Sequence, residues 1–400
     1  MFGYMGKILR VNLSTAKITE ESLDENAIKM FLGGSGLATK YLFEEVKKGV
    51  DPLGPENKLI FMTGPLTGTP SPSTGRYVVV AKSPLTGLWG QANSAGFWGT
   101  AFKRAGFDGV IFEGISRKPV YLLTDNGNAE LRDANKIWGK NTSETTRLLK
   151  EELGKEFKVT CIGIAGENLV KYAAIINDAE KPNWGRAAGR CGMGTVMGSK
   201  RLKAIASKGG IQIKVANEEV FREEAQKRYD WVNESLLKMS LEVYGTAAVL
   251  ELVNIRGGFP TRNWQLGVFP GADNIGGTAI VERILRERKA CFACPIACGR
   301  VSEIKEGPFA SKGEGPEYES LGAFGGMCEI DDLGAITFAH FLCNEYGLDT
   351  ISTGSTIAFA MECYEKGILT KEDTGGLEIK FGDANIVIDL IHKIARREGI

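Results

Sequence analysis

The chain has 400 residues, 43% of them hydrophobic and 24% charged, enough material for two or three cores rather than one. Its 49 basic and 49 acidic residues cancel, and no basic run is interleaved with aromatics, which argues against a nucleic-acid partner. No stretch reaches the roughly 20 consecutive apolar residues of a membrane helix, and the N-terminal MFGYMGKILRVNL turns polar too early for a signal peptide; no membrane is expected, and the expected compartment is the cytoplasm.

Up to about residue 210, short β-branched segments are broken by Gly, Pro and Asn. They predict strands at KILRVNL (7–13), KLIFM (58–62), RYVVVA (76–81), GVIFEG (109–114), VYLLT (120–124), KVTCIGI (158–164) and LKAIASKG (202–209). Helical patterns fall near 25–32, 36–48, 96–105 and 142–153. Two segments echo each other: GTAFKRAGFDGVIFEG at 99–114 and GTVMGSKRLKAIASKG at 194–209 both open with Gly-Thr, carry Lys-Arg, and end in a strand closed by Gly. Each follows a strand and a polar, glycine-containing loop, SPLTGLWGQANSAG in one case and INDAEKPNWGRAAGRCGMG in the other. A duplicated unit presenting two similar loops suits a ligand with two similar halves; unrelated glycine-rich connections would also look alike.

From about residue 215 the helices lengthen. Residues 331–346 carry Ala335, Phe338, Ala339, Leu342 and Tyr346 at helical spacing, with Asp331 and Asp332 near the start and Gly347 at the stop. Residues 350–366 repeat the plan, with Gly367 as the break. The pattern predicts an α+β fold: an N-terminal α+β domain of two related halves (1–210), followed by a multihelical domain (211–400) that carries a cysteine cluster.

That cluster, CFACPIACGR at 291–300, places Cys291, Cys294 and Cys298 in a C-x2-C-x3-C run. The eight cysteines are scattered through a large chain with no secretory signal, so reduced thiols fit better than disulfides. Zinc sites usually pair two short Cys/His knuckles; here there is no second one, and His340 and His392 lie far apart on predicted helices. Close cysteine spacing with Pro295 and Gly299 adjacent favours an iron–sulfur cluster. Zinc and chance spacing stay open on these residues alone. The fourth ligand is not evident among Cys161, Cys191, Cys328, Cys343 and Cys363, and Cys343 and Cys363 fall in helical patterns where cysteine commonly acts as a small hydrophobe.

Seven stretches in order, GRYVVVAKSPLTG (75–87), QANSAGFWG (91–99), GIAGENLVK (163–171), GRAAGRCGMGTVMGSKRLKAI (185–205), CFACPIACGR (291–300), EGPEYES (314–320) and GLDTIS (347–352), resemble the tungsten-dependent aldehyde ferredoxin oxidoreductase family along the whole chain. The resemblance implies a tungsten atom held by two pterins (tungstopterin), Mg2+ between their phosphates, and a [4Fe-4S] cluster beside one pterin. It implies Arg76 between cluster and pterin, carbonyl oxygens of Asn93 and Ala187 on magnesium, and Ala95 among the cofactor contacts of the first loop. Arg186, Gly189 and Arg190 would line the second loop, and Asn344, Leu348 and Asp349 would form a further pterin motif. Asp349 also precedes Thr350 at a helix start, where capping is compatible with binding. Cys291, Cys294 and Cys298 would ligate the cluster, and Glu319 in EGPEYES would be the catalytic carboxylate, with Glu314 and Glu317 as neighbouring candidates.

The activity so implied is oxidation of aldehydes to carboxylic acids with electrons passing to ferredoxin. The assembly would be a homo-oligomer or one with added electron-transfer subunits. Family chains continue past the position of RREGI into a further helical domain that carries the fourth cluster cysteine and a histidine near the metal; the fourth cysteine is expected beyond Ile400, and in a chain ending at residue 400 Cys343 or Cys328 would have to substitute. Asn344 replaces the family's Asp at the first position of its D-x-x-G-L-D motif. Phe338 and Ile388 stand where some members bridge a dimer through metal, so no such bridge is expected. Two rivals are a tungsten subunit of a benzoyl-CoA-reducing complex and an iron–sulfur electron-transfer protein without pterin.

Overall fold

The computed structural model describes residues 1–399. The chain divides into two compact units. The first comprises Met1–Lys181, Gly185–Trp231 and Cys291–Pro295; the second comprises Pro182–Trp184, Val232–Ala290 and the residues from Ile296 onward. No helix among the described residues is long and apolar enough to cross a membrane.

The first unit is a structural duplication. Its first half runs β1 (Lys7–Asn12), β2 (Lys17–Ser22), α1 (Glu25–Phe31), α2 (Gly34–Glu45), β3 (Leu59–Thr63), β4 (Tyr77–Lys82), β5 (Trp89–Ser94), α3 (Trp98–Arg104) and β6 (Gly109–Glu113). The second half runs β7 (Val120–Asp125), β8 (Asn128–Asp133), α4 (Thr142–Leu153), β9 (Lys158–Cys161), α5 (Ile164–Glu167), β10 (Ile175–Asn177), β11 (Arg186–Ala188), α6 (Met193–Ser199) and β12 (Leu202–Lys208). The sheets have orders β2-β1-β6-β3-β4-β5 and β8-β7-β12-β9-β10-β11, the same order strand for strand. The pairing senses agree too: β6 is parallel to β1 and β12 to β7, and all other neighbours are antiparallel. The echo read from 99–114 and 194–209 is thus the α3–β6 and α6–β12 portion of a repeat that spans the whole unit.

Alternation along each strand explains the layers. In β3, Leu59 and Phe61 enter a core shared by both sheets, while Ile60 and Met62 face α1 and α2. In β7, Leu122 enters the shared core while Tyr121 and Leu123 face α4. A register shift between Leu202 and Ala204 lets Leu202 and Ile205, three residues apart, both point inward. Helices α3 and α6 supply the rest of the shared core. Fully buried Trp98 of α3 lies 4.5 Å from Tyr77, 5.2 Å from Phe102 and 5.7 Å from Phe61 between ring centroids, and its indole N–H donates to Ile205 O of the other half at 3.1 Å.

Four strands escaped the sequence reading because they are sheet edges: β2, β5, β8 and β11. An edge strand is partly solvated and needs no apolar run; KITEES is accordingly mostly exposed, and NAELRD has no buried residue. The fifth missed strand, β10, has three residues.

A buried ammonium locks the first half. Lys103 of α3 donates to Gly3 O at 2.7 Å, to Pro65 O at 3.2 Å and to Gly64 O, and lies 3.8 Å from Asp108 with both side chains out of solvent. Burial pushes its pKa down to about 8, against the opposing pull of Asp108. Lys103→Met would leave three carbonyls and a carboxylate without their cation. It should lower the unfolding free energy by about 3–5 kcal/mol, measured by urea denaturation of the whole chain.

In the second unit the helices are α8 (Leu236–Tyr244), α9 (Leu250–Ile255), α10 (Leu333–Tyr346), α11 (Thr350–Glu365) and α12 (Ala384–Arg396); α7 (Glu218–Asn233) runs across the unit boundary. Asp332, Asp349 and Asp383 each cap the helix that follows, accepting from two backbone N–H groups, and Gly347 ends α10 at φ 70°. The expected multihelical domain also contains an antiparallel sheet of β13 (Leu285–Lys289), β14 (Gly299–Ile304) and β15 (Ser311–Glu314). Its outer strands, LRERK and SKGE, are too polar to read as strands from sequence. Helix α10 is buried nearly all round: Ile336, Phe341 and Cys343 are in the core while Phe338 of the predicted stripe is half-buried, 5.9 Å from Phe309. An apolar helix without a polar face is a core helix, so its spacing could not pick out one buried side.

Candidate functional site

In the first unit the two loops expected to hold a ligand leave the edge strands β5 and β11, and these strands are in contact. Asn93 and Ala187 each stand one residue before the end of their strand. Asn93 pairs with Val78 of β4, and Ala187 with Ile176 of β10. They are equivalent positions of the duplication, and both are exposed. Beyond them, Ala95 is half-buried on the first loop; on the second, Arg186 and Gly189 are half-buried and Arg190 is exposed.

Each loop is held by the opposite half. Just after β10, Asp178 accepts from Phe97 N at 2.6 Å, and Asn177 Nδ2 donates to Ala95 O at 2.9 Å and to Asp178 at 2.8 Å. Asn177 Oδ1 in turn accepts from Ser94 Oγ at 2.6 Å and Tyr77 Oη at 3.0 Å. Just after β4, Ser83 Oγ donates to Cys191 O at 2.8 Å. Burial raises the Asp178 carboxyl above its ordinary pKa, with the Phe97 N–H opposing. The fit leaves no slack: a Cβ on Gly96 would lie 2.1 Å from Asp178 Oδ2, and one on Gly90 would lie 3.0 Å from Cys191 Cβ.

Arg76 is exposed beside the first loop, and its guanidinium donates to Asn93 Oδ1. Both side chains line a cavity of about 550 Å³ with Ser73, Thr74 and Gln91. Part of the cysteine run packs on the same segment: Ser73 N donates to Ala293 O at 2.6 Å, Ser73 Oγ contacts Cys294 Sγ at 3.4 Å, and Phe292 N donates to Gly96 O at 3.2 Å. Gly75 permits this approach, since a Cβ there would meet Gly96 O at 2.6 Å and Phe292 Cβ at 3.0 Å. Cys291 and Cys294 belong to this first unit and Cys298 to the second. Among the described residues no group of three or more His, Cys, Asp and Glu side chains is gathered closely enough to hold a metal ion. Cys328 and Cys343 are fully buried in the second unit, where desolvation pushes both thiols above their usual range.

The second unit separates the three carboxylates of EGPEYES. Glu314 is buried and paired with Lys289 at 2.7 Å. Glu317 accepts from Thr246 Oγ1, which also accepts from Tyr318 N at 2.9 Å. Glu319 is exposed and, among the described residues, has no hydrogen bond or ion pair. Asp349 uses both carboxylate oxygens as a cap, toward Ile351 N at 3.2 Å and Ser352 Oγ at 2.5 Å. Leu348 is buried in the core, and Asn344 lies with its amide 3.1 Å from His340 Nε2.

Sequence reasoning passed over Ser73, Ser83 and Asp178, and weighed His340 only as a zinc ligand. Ser83 sits inside a matched motif and Ser73 two residues before it, and neither carries distinctive chemistry as a single serine. Asp178 meets a partner 81 residues away, and His340 meets Glu314 O across 26 residues; neither distance leaves a local signal.

A duplicated pair of sheets, each anchoring the other's exposed loop beside a cysteine segment, defines the class of α+β protein to which the chain is compared. A family model described as the aldehyde ferredoxin oxidoreductase N-terminal domain matches residues 8–209, and one described as domains 2 and 3 of the same enzyme matches residues 223–400. The chain belongs to the aldehyde ferredoxin oxidoreductase family. It is 47% identical over 404 residues to the tungsten-containing aldehyde ferredoxin oxidoreductase of Pyrococcus horikoshii and 46% identical over 402 residues to that of Pyrococcus furiosus. It is also 36% identical over 424 residues to an aliphatic sulfonate oxidoreductase, WOR-like subunit, of Pyrococcus furiosus. All of this chain is covered in each comparison, and it spans 65% of the length of these relatives. Among solved structures, the active-site complex BamBC of benzoyl coenzyme A reductase, in complex with 1,5-dienoyl-CoA, matches with TM-score 0.86 and 29% identity over 100% of this chain and 61% of that one.

Proposed function

We propose that this chain is the pterin- and cluster-binding part of a tungsten aldehyde:ferredoxin oxidoreductase, converting an aldehyde and water to a carboxylic acid, two protons and two electrons. The observation that supports it most is the equivalence of Asn93 and Ala187: two exposed strand ends, side by side, related by the duplication. Asn93 and Ala187 would offer a pair of carbonyl oxygens to a Mg2+ ion, which takes oxygen ligands. Arg76, Arg186 and Arg190 supply fixed positive charge for the pterin phosphates and ring edges, with Ala95 and Gly189 giving close backbone approach. By the family resemblance, Asn344 and Asp349 would be pterin-binding residues as well. Cys291, Cys294 and Cys298 would hold the four-iron cluster, the first two beside the Arg76 segment.

When bound, the tungsten bis-pterin supplies two-electron oxidation and the cluster passes single electrons to a ferredoxin-type carrier. The protein's own residues bind, orient and move protons. The Glu319 carboxylate, which has no hydrogen bond or ion pair among the described residues, takes a proton as water adds to the aldehyde carbon.

The deciding experiment is elemental analysis of the purified, metal-replete protein for W, Mo and Fe, joined to aldehyde-dependent viologen reduction. Tungsten with iron and aldehyde turnover is the expected result; iron without tungsten or molybdenum leaves an electron-transfer protein. The likeness to the benzoyl coenzyme A reductase complex favours a second reading, reduction of an aromatic thioester. Benzoyl-CoA reduction without aldehyde turnover would select it. In the same protein, Cys294→Ser should lower bound iron by at least about tenfold, since a thiolate ligand is lost.

A further inference from the structure

We propose that His340 is a positioning residue, holding the turn that carries Glu319; the inference rests on the reading of Glu319 as the proton-transfer group. His340 lies on α10, is buried, and sits at the centre of a polar cluster within the second unit. Its Nδ1 is 2.9 Å from Ser320 Oγ, its Nε2 is 3.0 Å from Glu314 O, and Asn344 Nδ2 stands 3.1 Å from the same Nε2. Ser320 Oγ is also 3.1 Å from Thr350 Oγ1, next to Asp349.

The acceptor-only carbonyl of Glu314 fixes the tautomer. In the neutral ring Nε2 then carries the proton, which leaves Nδ1 as an acceptor that the Ser320 hydroxyl can use in place of Thr350 Oγ1. Two N–H donors cannot face each other, so the Asn344 amide is oriented with its oxygen toward Nε2, an assignment made from the network. One ring thereby joins three pieces: the end of β15, the turn Tyr318–Ser320 and the Asn344–Thr350 motif. Gly315 makes room for it, since a Cβ there would lie 2.2 Å from Nε2.

The consequence for Glu319 is positional. The turn is pinned on one side by Thr246, on Tyr318 N and the Glu317 carboxylate, and on the other by His340 through Ser320. Glu319 projects between two fixed neighbours, its own carboxylate unengaged among the described residues, as an acid–base group aimed at a substrate requires.

The test uses the full-length, metal-loaded enzyme. His340→Asn places an amide oxygen where Nδ1 accepts from Ser320; His340→Gln keeps a donor toward Glu314 O and loses that acceptor. His340→Gln and Ser320→Ala should each lower kcat for aldehyde oxidation by at least about tenfold, with KM within about twofold and W and Fe contents unchanged. His340→Asn should recover kcat to within about threefold of wild type. Adding His340→Gln to Ser320→Ala should cause no further loss. Amide hydrogen exchange at Tyr318–Ser320 should rise in the Gln and Ala variants and not in the Asn variant. Equal loss in the Asn and Gln variants, loss expressed in KM or metal content, or additive losses in the double variant would overturn the proposal. Glu319→Gln in the same assay keeps the two ideas apart. If it leaves kcat unchanged, the reading of Glu319 fails; if it removes activity while His340→Gln does not, the positioning role alone fails.

Discussion

Glu319→Gln should remove aldehyde oxidation by about 10²–10⁴-fold in kcat, the range supplied by a positioned acid–base group, while leaving bound W and Fe unchanged. The expectation follows from how the fold sorts three carboxylates within six residues. Glu314 neutralises Lys289 from a buried position, and Glu317 is engaged by Thr246. Removing either disturbs packing, so Glu317→Gln should show its effect mainly in thermal stability. Glu319 is exposed and, among the described residues, has no hydrogen bond or ion pair. Its amide isostere therefore changes proton chemistry and little else. Steady-state kcat and KM for a short aldehyde, with metal analysis of the same sample, check this; a Glu319→Gln enzyme at wild-type kcat would assign the proton transfer elsewhere.

Gly96→Ala should lower tungsten retention by at least about tenfold, a loss typical when the support behind a metal or cofactor site is displaced. The added methyl would meet Asp178 Oδ2 at 2.1 Å and Asn177 Nδ2 at 2.8 Å, at a backbone φ of +88°. Neither neighbour can yield cheaply. Asp178 is held by Phe97 N, and Asn177 by Ala95 O, Ser94 and Tyr77. The collision therefore breaks the anchor between the halves and releases the loop after Asn93, at an overpacking cost of about 1–3 kcal/mol. Gly87→Ala is the matched control: its φ is +72° with nothing within 4 Å of the added Cβ. It should cost about 1 kcal/mol of backbone strain and leave tungsten in place. Inductively coupled plasma analysis of tungsten per chain distinguishes the two, and equal losses would remove the crosswise anchor from the account of cofactor binding.

The sequence by itself determined the interior strands of both sheets apart from the three-residue β10, the helices α1 to α4 of the first unit and the capped helices α10 and α11, because burial on a pleated or helical surface imposes local periodicity and Asp and Gly mark helix ends. It also placed the loop and cysteine motifs in chain order, and the Gly-Thr echo was the visible trace of the duplication. Edge strands β2, β5, β8 and β11 were illegible because one side of each is unpaired and no apolar pattern is required of it. The small sheet of the second unit was missed for a related reason: its outer strands are polar. What only the tertiary structure decided is which side chains hold the candidate site in place. Asp178 reaches Phe97 across 81 residues and Ser83 reaches Cys191 across 108, and His340 joins Ser320 to Glu314 from a helix whose sequence marks it simply as core. Such pairings follow from how sheets and helices stack, and stacking depends on the whole set of buried faces at once, so no local stretch of sequence carries them.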